Sequence, residues 1–168
     1  MSKVGFIGLG IMGAPMAGHL IAGGHEVYLY DVRPPAAELT GKGGKACGSS
    51  KEVAEKADVV IVMVPDTPDV EAVLFGKNGV AEGLSKGKTV VDMSSISPIE
   101  TKEFAKKVNA LGCDYLDAPV SGGEVGAKAA SLTIMVGGPQ GAYDKVKPLF
   151  DLMGKNITLV GGNGDGQT

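Results

Sequence analysis

Apolar runs alternate along the chain with segments in which apolar residues recur at helical spacing. The apolar runs predict buried strands at residues 3–8, 26–31, 58–65, 89–94, 114–120, 131–138 and 156–162. The segments between them predict helices at residues 11–24, 34–43, 49–57, 68–75, 97–112 and 140–154. Strands that are apolar on both faces need helices on both sides of their sheet. The pattern therefore predicts a doubly wound α/β fold with a mostly parallel sheet.

The predicted helix at 97–112 has the clearest boundaries. Ser97 and Glu100 have the spacing of a capping box, and Pro98 occupies the first helical position. Gly112 is a typical helix stop. We therefore expect Ser97 to serve as a cap rather than as a ligand contact.

The composition is that of one globular domain. With 168 residues, of which 43% are hydrophobic and 21% charged, the chain is long enough for one substantial core and too short for two ordinary domains. We assign residues 1–162 to this domain and residues 163–168 to the start of a following segment.

Charge and cysteine usage exclude several function classes. The net charge of -3 comes from interspersed acidic and basic residues, which offer no basic footprint for nucleic acid and no polybasic patch for a membrane surface. No apolar run approaches the ~20 residues of a membrane span. Cys47 and Cys113 are isolated and lie near no histidine cluster. We therefore expect no disulfide, no metal site and a reducing, cytoplasmic location.

The strongest local motif is "GLGIMG", a GxGxxG pattern between the first predicted strand and the first helix. Its first glycine permits the tight turn, its second lets the backbone approach a pyrophosphate, and its third lets the helix pack closely on the strand. The alternative is a glycine-rich turn without a ligand. Because the second predicted strand ends in an acidic residue, as is typical of dinucleotide-binding domains, we favour a Rossmann-type dinucleotide-binding domain. The expected contacts are Gly8, Leu9, Gly10, Ile11, Met12 and Gly13.

Asp31 closes the second predicted strand, about 20 residues after the glycines, where a carboxylate accepts hydrogen bonds from the adenosine ribose. A carboxylate would repel a 2′-phosphate, so we expect NAD(H) to be preferred. Arg33 has three interpretations: it meets a 2′-phosphate, it covers the adenine face, or it is a solvated loop charge. NADP(H) therefore stays open as a second cofactor.

Serine, proline and glycine cluster at the carboxyl ends of three later strands, where a doubly wound sheet binds its ligand. These segments are residues 63–70, 92–98 and 117–123. Turn formation and helix capping are the ordinary explanation for such residues. They do not explain Ser94, Ser95 and Ser121, which are therefore candidates for ligand contact.

Several segments together resemble the β-hydroxyacid dehydrogenases. The resemblance rests on "VGFIGLGIMGAPMAGHL", "MVPDTPDV", "DMSSISP", "DAPVSGGEVGAKAASLTIMVGG" and "GDGQT", which follow the order and spacing of that family. It implies an oxidoreductase that reversibly reduces a small 3-oxo acid, such as tartronate semialdehyde, to a hydroxyacid. It also implies cofactor roles. Residues 8–13 would bind the pyrophosphate and Asp31 the adenosine ribose, Val64 and Pro65 would lie on the ribose and adenine side, and Ser95 would lie near the nicotinamide ribose.

The resemblance further implies that Ser121, Gly122 and Gly123 form a loop that holds the carboxylate and hydroxyl of the substrate. The family's general acid/base is a lysine, which this spacing would place two residues beyond Thr168. General acid catalysis contributes typically ~10²–10⁴-fold. We therefore expect no catalytic residue within these 168 residues, and little or no turnover from them alone.

The chain departs from the family pattern at three places. His19 stands where Asn is common, and Ala130 stands where Gly is common, which puts the turn before "SLTIMV" in doubt. The pair Asp31-Val32 replaces the Asn-Arg of members that prefer NADP, which supports NAD(H). We interpret His19 and His25 as surface or packing residues rather than as proton donors.

A stand-alone or engineered nucleotide-binding module without catalysis is the alternative function, since it needs the same glycine loop and Asp31. The segment 121–123 favours an enzyme, because a binding module has no use for a substrate loop. A methyltransferase is disfavoured because "DAPVSGG" and "GDGQT" have no role there. If an all-helical domain follows, as the resemblance implies, this domain presents a partly apolar face to it. We expect self-association through that face.

Overall fold

The structure is a computed structural model that describes residues 2–32 and 37–167. One sheet runs through the molecule in the order β3-β2-β1-β4-β5-β6-β8-β7, with β9 paired to β8. Strands β1 to β6 pair in parallel, β8 is antiparallel to β6 and β7, and β9 is parallel to β8. The strands are β1 (Lys3–Ile7), β2 (Glu26–Tyr30), β3 (Lys45–Ala46), β4 (Val59–Val62), β5 (Thr89–Asp92), β6 (Asp114–Asp117), β7 (Val120–Ser121), β8 (Leu132–Gly137) and β9 (Gly154–Gly161).

Helices connect these strands and cover both faces of the sheet. They are α1 (Gly13–Ala22), α2 (Ala37–Gly41), α3 (Ser50–Lys56), α4 (Thr67–Phe75), α5 (Val80–Gly83), α6 (Pro98–Asn109), α7 (Gly123–Ala129) and α8 (Gln140–Met153). The predicted doubly wound, mostly parallel α/β fold is confirmed. None of the described helices is both long and apolar enough to cross a membrane.

The sheet separates two apolar cores, and β4 shows how one strand serves both. Val59 and Ile61 belong to the core that includes α1 and α8, whereas Val60 and Val62 belong to the core that includes α3, α4 and α6. Successive strand residues point to opposite faces, so a strand buried on both faces is apolar at every position. This is why the unbroken apolar run was a reliable strand signal.

The predicted strand at 114–120 is interrupted. Ala118 and Pro119 separate β6 from β7, and only β7 continues as a regular antiparallel partner of β8. Proline has no N–H to donate to a strand ladder, which explains the break. The backbone of these two residues bonds to the strands on either side. The Ala118 N–H donates to the Asp92 carbonyl of β5 at 2.7 Å, and the Pro119 carbonyl accepts from the Met135 N–H of β8 at 3.2 Å.

Helix α7 was not predicted from the sequence, because its seven residues include Gly123 and Gly126, which have low helix propensity. Tertiary contacts hold it. A Cβ at Gly126 would lie 3.2 Å from the side chain of Leu132, and His19 Nε2 lies 2.8 Å from the Ala127 carbonyl oxygen. The helix ends at Ala130, which takes the left-handed conformation with φ 55 and ψ 39.

Two helix starts also differ from the sequence expectation. Helix α4 begins one residue early, at Thr67, because Asp66 forms a capping box with Asp69. In α6 only half of the predicted box forms. Ser97 Oγ accepts from the Glu100 N–H at 3.5 Å, but the Ser97 N–H donates to Thr67 Oγ1 at 3.3 Å. This bond ties the start of α6 to the start of α4. The elements β3 and α5, of two and four residues, are too short for periodicity to reveal.

Candidate cofactor-binding site

The glycine loop lies at the point where the strand order reverses. Strand β1 pairs with β2 on one side and with β4 on the other, so the chain winds away from β1 in both directions. The connections after β1 and β4 therefore diverge and open a crevice at the carboxyl ends of the strands. Ligands of doubly wound sheets bind in such crevices.

Each glycine of the loop has a different environment. A Cβ at Gly8 would lie 2.0 Å from the Met63 carbonyl oxygen, and Gly8 has φ +101. A Cβ at Gly13 would lie 1.9 Å from the Gly8 carbonyl oxygen. Gly8 and Gly13 are thus required by the protein's own packing. At Gly10 a Cβ would meet no described atom within 4 Å. Packing within the described chain therefore does not require a glycine at position 10, whereas a ligand that approached the backbone closely would require one.

The loop also presents unused hydrogen-bond donors. Among residues 2–32 and 37–167, nothing accepts a hydrogen bond from the N–H groups of Gly10, Ile11, Met12 or Gly13. Helix α1 has no side-chain cap and no acidic residue in its first turn. The positive end of the helix dipole and these free N–H groups together favour a bound anion, as expected for a pyrophosphate. The loop therefore fits the phosphates of a dinucleotide.

Asp31 is half-buried and bonds to the loop itself. Its Oδ2 accepts from the Leu9 N–H at 2.7 Å, and its Oδ1 accepts from the Val32 N–H at 2.6 Å. A carboxylate has about four acceptor positions, so two remain for other donors such as ribose hydroxyls. Asp31 thus holds the glycine loop against the end of β2 and keeps acceptor capacity toward the crevice. Arg33 lies outside the described residues.

A cavity of about 260 Å³ opens beside the end of β2. Tyr30 and Val32 line one side, and Ala72 and Val73 of α4 line another. Its position next to Asp31 and its partly apolar walls suit a planar base attached to a ribose. Of the residues predicted on the adenine side, Val64 is half-buried and Pro65 exposed at the end of β4, and neither lines this cavity.

A larger cavity, of about 480 Å³, does not belong to this site. It lies at the opposite edge of the sheet, where the strands begin, and Lys3, Asp58, Lys86, Lys88 and Lys145 are among its lining residues. Ligands of this fold bind at the carboxyl ends of the strands. We therefore assign the smaller cavity, at the end of β2, to the candidate site.

The structure separates the two candidate serines after β5. Ser94 is fully buried, its Oγ accepts from the Val64 N–H at 2.9 Å, and its N–H donates to Asp92 at 3.0 Å. It therefore links the ends of β4 and β5. Ser95 is exposed, and its hydroxyl bonds to no residue in the described part of the chain. Ser95 is the serine available to a ligand.

Two buried carboxyl groups underlie these loops. Asp92 and Asp117 are register partners at the ends of β5 and β6, and both are fully buried. Burial raises the pKa of Asp92 to about 7, although hydrogen bonds from Ser94 and from Tyr115 at 3.2 Å favour its charged form. Burial also raises the pKa of Asp117. Sequence reasoning gave neither residue a role. The available signal was an aspartate closing each of two neighbouring apolar strands.

Ser121, Gly122 and Gly123 form the exposed turn from β7 into α7. Gly122 and Gly123 have φ +129 and +61, so this turn needs glycine. The turn follows β6 and β7 beyond the carboxyl ends of the parallel strands, on the same side of the sheet as Ser95. Lys128 of α7 is exposed and pairs with Glu124 at 2.8 Å.

A family model for the NAD-binding domain of 6-phosphogluconate dehydrogenase matches residues 3–162. The chain belongs to this family. Within the family, it is 60% identical over 166 residues to 2-hydroxy-3-oxopropionate reductase of Escherichia coli, covering 99% of this chain and 57% of that protein. The predicted relationship to β-hydroxyacid dehydrogenases is confirmed.

Solved structures of the family give the same result. Mycobacterium tuberculosis 3-hydroxyisobutyrate dehydrogenase with L-serine superposes with a TM-score of 0.92 at 36% identity, covering 99% of this chain and 57% of that one. A structure in complex with NADP+ and 2-OPP superposes with a TM-score of 0.90 at 30% identity, covering 98% of this chain and 58% of that one. The chain thus spans less than two thirds of the length of these relatives.

Proposed function

We propose that this chain binds NAD(H) as the cofactor domain of a β-hydroxyacid dehydrogenase. The observation that carries the proposal is the contrast at the glycine loop. Gly8 and Gly13 are required by contacts inside the protein, whereas Gly10 faces open space beside free N–H groups. A position where a Cβ would touch nothing, next to unpaired donors at a helix start, is best explained by a phosphate that approaches the backbone closely.

In this proposal the cofactor lies across three strand ends. The pyrophosphate binds residues 8–13, and the adenosine ribose binds Asp31 on β2. Val64 and Pro65 lie on the ribose and adenine side. Because β4 and β5 lie on the other side of β1, the nicotinamide half extends toward Ser95. The charge of Asp31 favours NAD(H) over NADP(H). The NADP+ complex of a relative keeps NADP(H) as the alternative.

The proposed reaction of the longer protein is the reduction of a small 3-oxo acid such as tartronate semialdehyde. The 60% identity to 2-hydroxy-3-oxopropionate reductase supports this choice. Bound nicotinamide supplies or accepts the hydride. Residues 121–123 hold the substrate's carboxylate and hydroxyl beside it. The lysine that donates the proton stays a prediction from the family resemblance, at two residues beyond Thr168.

A titration with NADH tests the cofactor proposal. The chain has no Trp, so the emission of the nicotinamide can be followed without energy transfer from tryptophan. We expect saturable binding, weakened roughly tenfold by Gly10→Ala, because the added methyl occupies the space of the pyrophosphate. Gly141→Ala is the matched control, since a Cβ there also meets nothing and Gly141 lies in α8, away from the loop. Absence of NADH binding by the unchanged chain would refute the proposal, and equal affinities for all three proteins would refute the role given to Gly10.

The alternative is a nucleotide-binding module without chemistry. Incubation of the longer protein with NADH and tartronate semialdehyde separates the two, because only a dehydrogenase consumes NADH in a substrate-dependent way. We expect the 168 residues alone to turn over slowly or not at all. A cytoplasmic location, which two unpaired cysteines favour, is part of the proposal. Self-association of the domain stays a prediction that gel filtration over a wide concentration range would check.

A further inference from the structure

Residues 162–167 fold back across the carboxyl ends of β5 and β6, and Asp117 anchors them. Asp117 Oδ1 accepts from the Gly164 N–H at 2.9 Å, and its Oδ2 accepts from the Gln167 N–H at 3.3 Å. A Cβ at Gly166 would lie 2.7 Å from the carbonyl oxygens of Asp117 and Met135. The backbone therefore lies directly against the ends of β6 and β8.

This anchoring delivers the side chain of Gln167 to the loop after β5. Gln167 Nε2 donates to the Ser94 carbonyl at 2.6 Å, and Gln167 Oε1 accepts from the Ile96 N–H at 3.0 Å. One partner is an acceptor and the other a donor, so only one orientation of the amide satisfies both. The amide thus bridges the two residues that flank Ser95.

The rest of this loop is fixed at its two ends. Ser94 is held by Asp92 and Val64, and the Ser97 N–H is held by Thr67. Between these points, the side-chain bonds described for the loop come from Gln167. Ser95 is exposed and bonds to no described residue. Gln167 therefore supplies the side-chain bonds on both sides of Ser95 in the described structure.

We infer that Gln167, held in place by Asp117, is a positioning residue for the nicotinamide half of the cofactor. The inference rests on the proposed function. If adenosine binds at β2 and the pyrophosphate at β1, the remaining half of the dinucleotide reaches the ends of β4 and β5, where Ser95 lies. Gln167 acts through the loop from Ser94 to Ile96 and needs no contact with the cofactor itself.

The test compares two ligands that differ in the nicotinamide half. NADH contains the nicotinamide and its ribose, whereas ADP carries the adenosine and the diphosphate without either. Dissociation constants of both are measured by calorimetry for the unchanged chain, Gln167→Ala and Gln167→Glu. Gln140→Ala is the matched control, because the Gln140 amide bonds to the exposed Asp144 on its own helix. Gln167→Glu keeps an acceptor for Ile96 but turns a second oxygen toward the Ser94 carbonyl.

We expect both Gln167 variants to bind NADH about tenfold more weakly, because Gln167→Ala loses both bonds to the loop and Gln167→Glu loses one bond and places two oxygens against each other. We expect their ADP affinity to stay within about twofold of the unchanged chain, which also shows that the variants fold. Unchanged NADH affinity would overturn the inference, and so would an equal loss for both ligands, since that indicates a general structural role. If the unchanged chain bound neither ligand, the proposed function would fail and the inference with it.

Discussion

Gly13 and Gly8 pack so closely that a Cβ on Gly13 would lie 1.9 Å from the Gly8 carbonyl oxygen. The obstacle is backbone on both sides and cannot move aside as a flexible side chain would. We expect Gly13→Ala to lower the free energy of unfolding by about 3 kcal/mol, the upper range for overpacking. Urea denaturation measures this. Gly10→Ala serves as the comparison and should change stability by less than about 0.5 kcal/mol. Equal effects of the two substitutions would contradict the assigned roles of these glycines.

At Ala130 we expect a substitution to raise the free energy of unfolding rather than lower it. It ends α7 with φ 55, a left-handed conformation that costs an L-residue roughly 1 kcal/mol and glycine almost nothing. Glycine also raises the entropy of the unfolded chain, which offsets part of the gain. We expect Ala130→Gly to raise the free energy of unfolding by about 0.5 kcal/mol. Ala129→Gly, one residue earlier in the helix, should lower it by a similar amount. Destabilisation by both would show that Ala130 is not strained.

The buried carboxyl of Asp92 should make stability depend on pH. Its pKa in the folded state is about 7, above the usual 3.8. Well below pH 3.8 the group is protonated in both states and has no effect. As the pH rises toward 7 the unfolded state loses this proton first, so stability falls, by about 4 kcal/mol in total, and levels off above pH 7.

Asp92→Asn should remove most of this pH dependence. Its amide can accept from the Ser94 N–H and donate to the Tyr115 hydroxyl, as a protonated aspartate does. Between pH 5 and pH 8 we expect stability to fall by about 3 kcal/mol less in this variant than in the unchanged chain. Urea denaturation at the two pH values measures the difference. Asp114→Asn, which alters an exposed aspartate of β6, is the control. Parallel pH profiles for Asp92→Asn and the unchanged chain would disprove the assignment.

Asp31→Asn removes the charge of Asp31 and keeps the hydrogen bond that supports the glycine loop, but it loses the bond from the Val32 N–H. The asparagine oxygen still accepts from the Leu9 N–H, so the glycine loop keeps its support. The negative charge that repels a 2′-phosphate is gone. We expect the ratio of NADPH affinity to NADH affinity to rise about tenfold, equivalent to ~1.4 kcal/mol. Titration with both cofactors gives the ratio. An unchanged ratio would place the discrimination elsewhere, with Arg33 as the next residue to change.

The sequence predicted those parts of the fold whose cause is local. Within the predicted strand at 58–65, residues 59–62 form β4, because each of them is buried on one face or the other. The glycine loop was recognisable because its three glycines lie within six consecutive residues, at the spacing of a known dinucleotide-binding motif. Helix α7 and the break at Pro119 were missed, because contacts with α1, β8 and the end of β5 decide them. The hydrophobic periodicity of a segment cannot predict contacts with residues that are distant in the sequence.

The same distinction applies to the site. Gly8, Gly10 and Gly13 lie within one hexapeptide, whereas Gln167 and Ser94 are 73 residues apart. A glutamine near the end of a chain has no sequence pattern that points to a distant loop. Asp92 and Asp117 appeared as ordinary strand ends, and only the sheet register brings them together. The polar contacts that link the strand ends therefore required the structure.

The most direct test of the central claim is a calorimetric titration of the unchanged chain with NADH and, separately, with NADPH. We expect both to saturate one site, with NADH bound more tightly because Asp31 opposes a 2′-phosphate. Tighter binding of NADPH would contradict the cofactor preference. Absence of binding by either would contradict the claim that the crevice beside the glycine loop is a dinucleotide site.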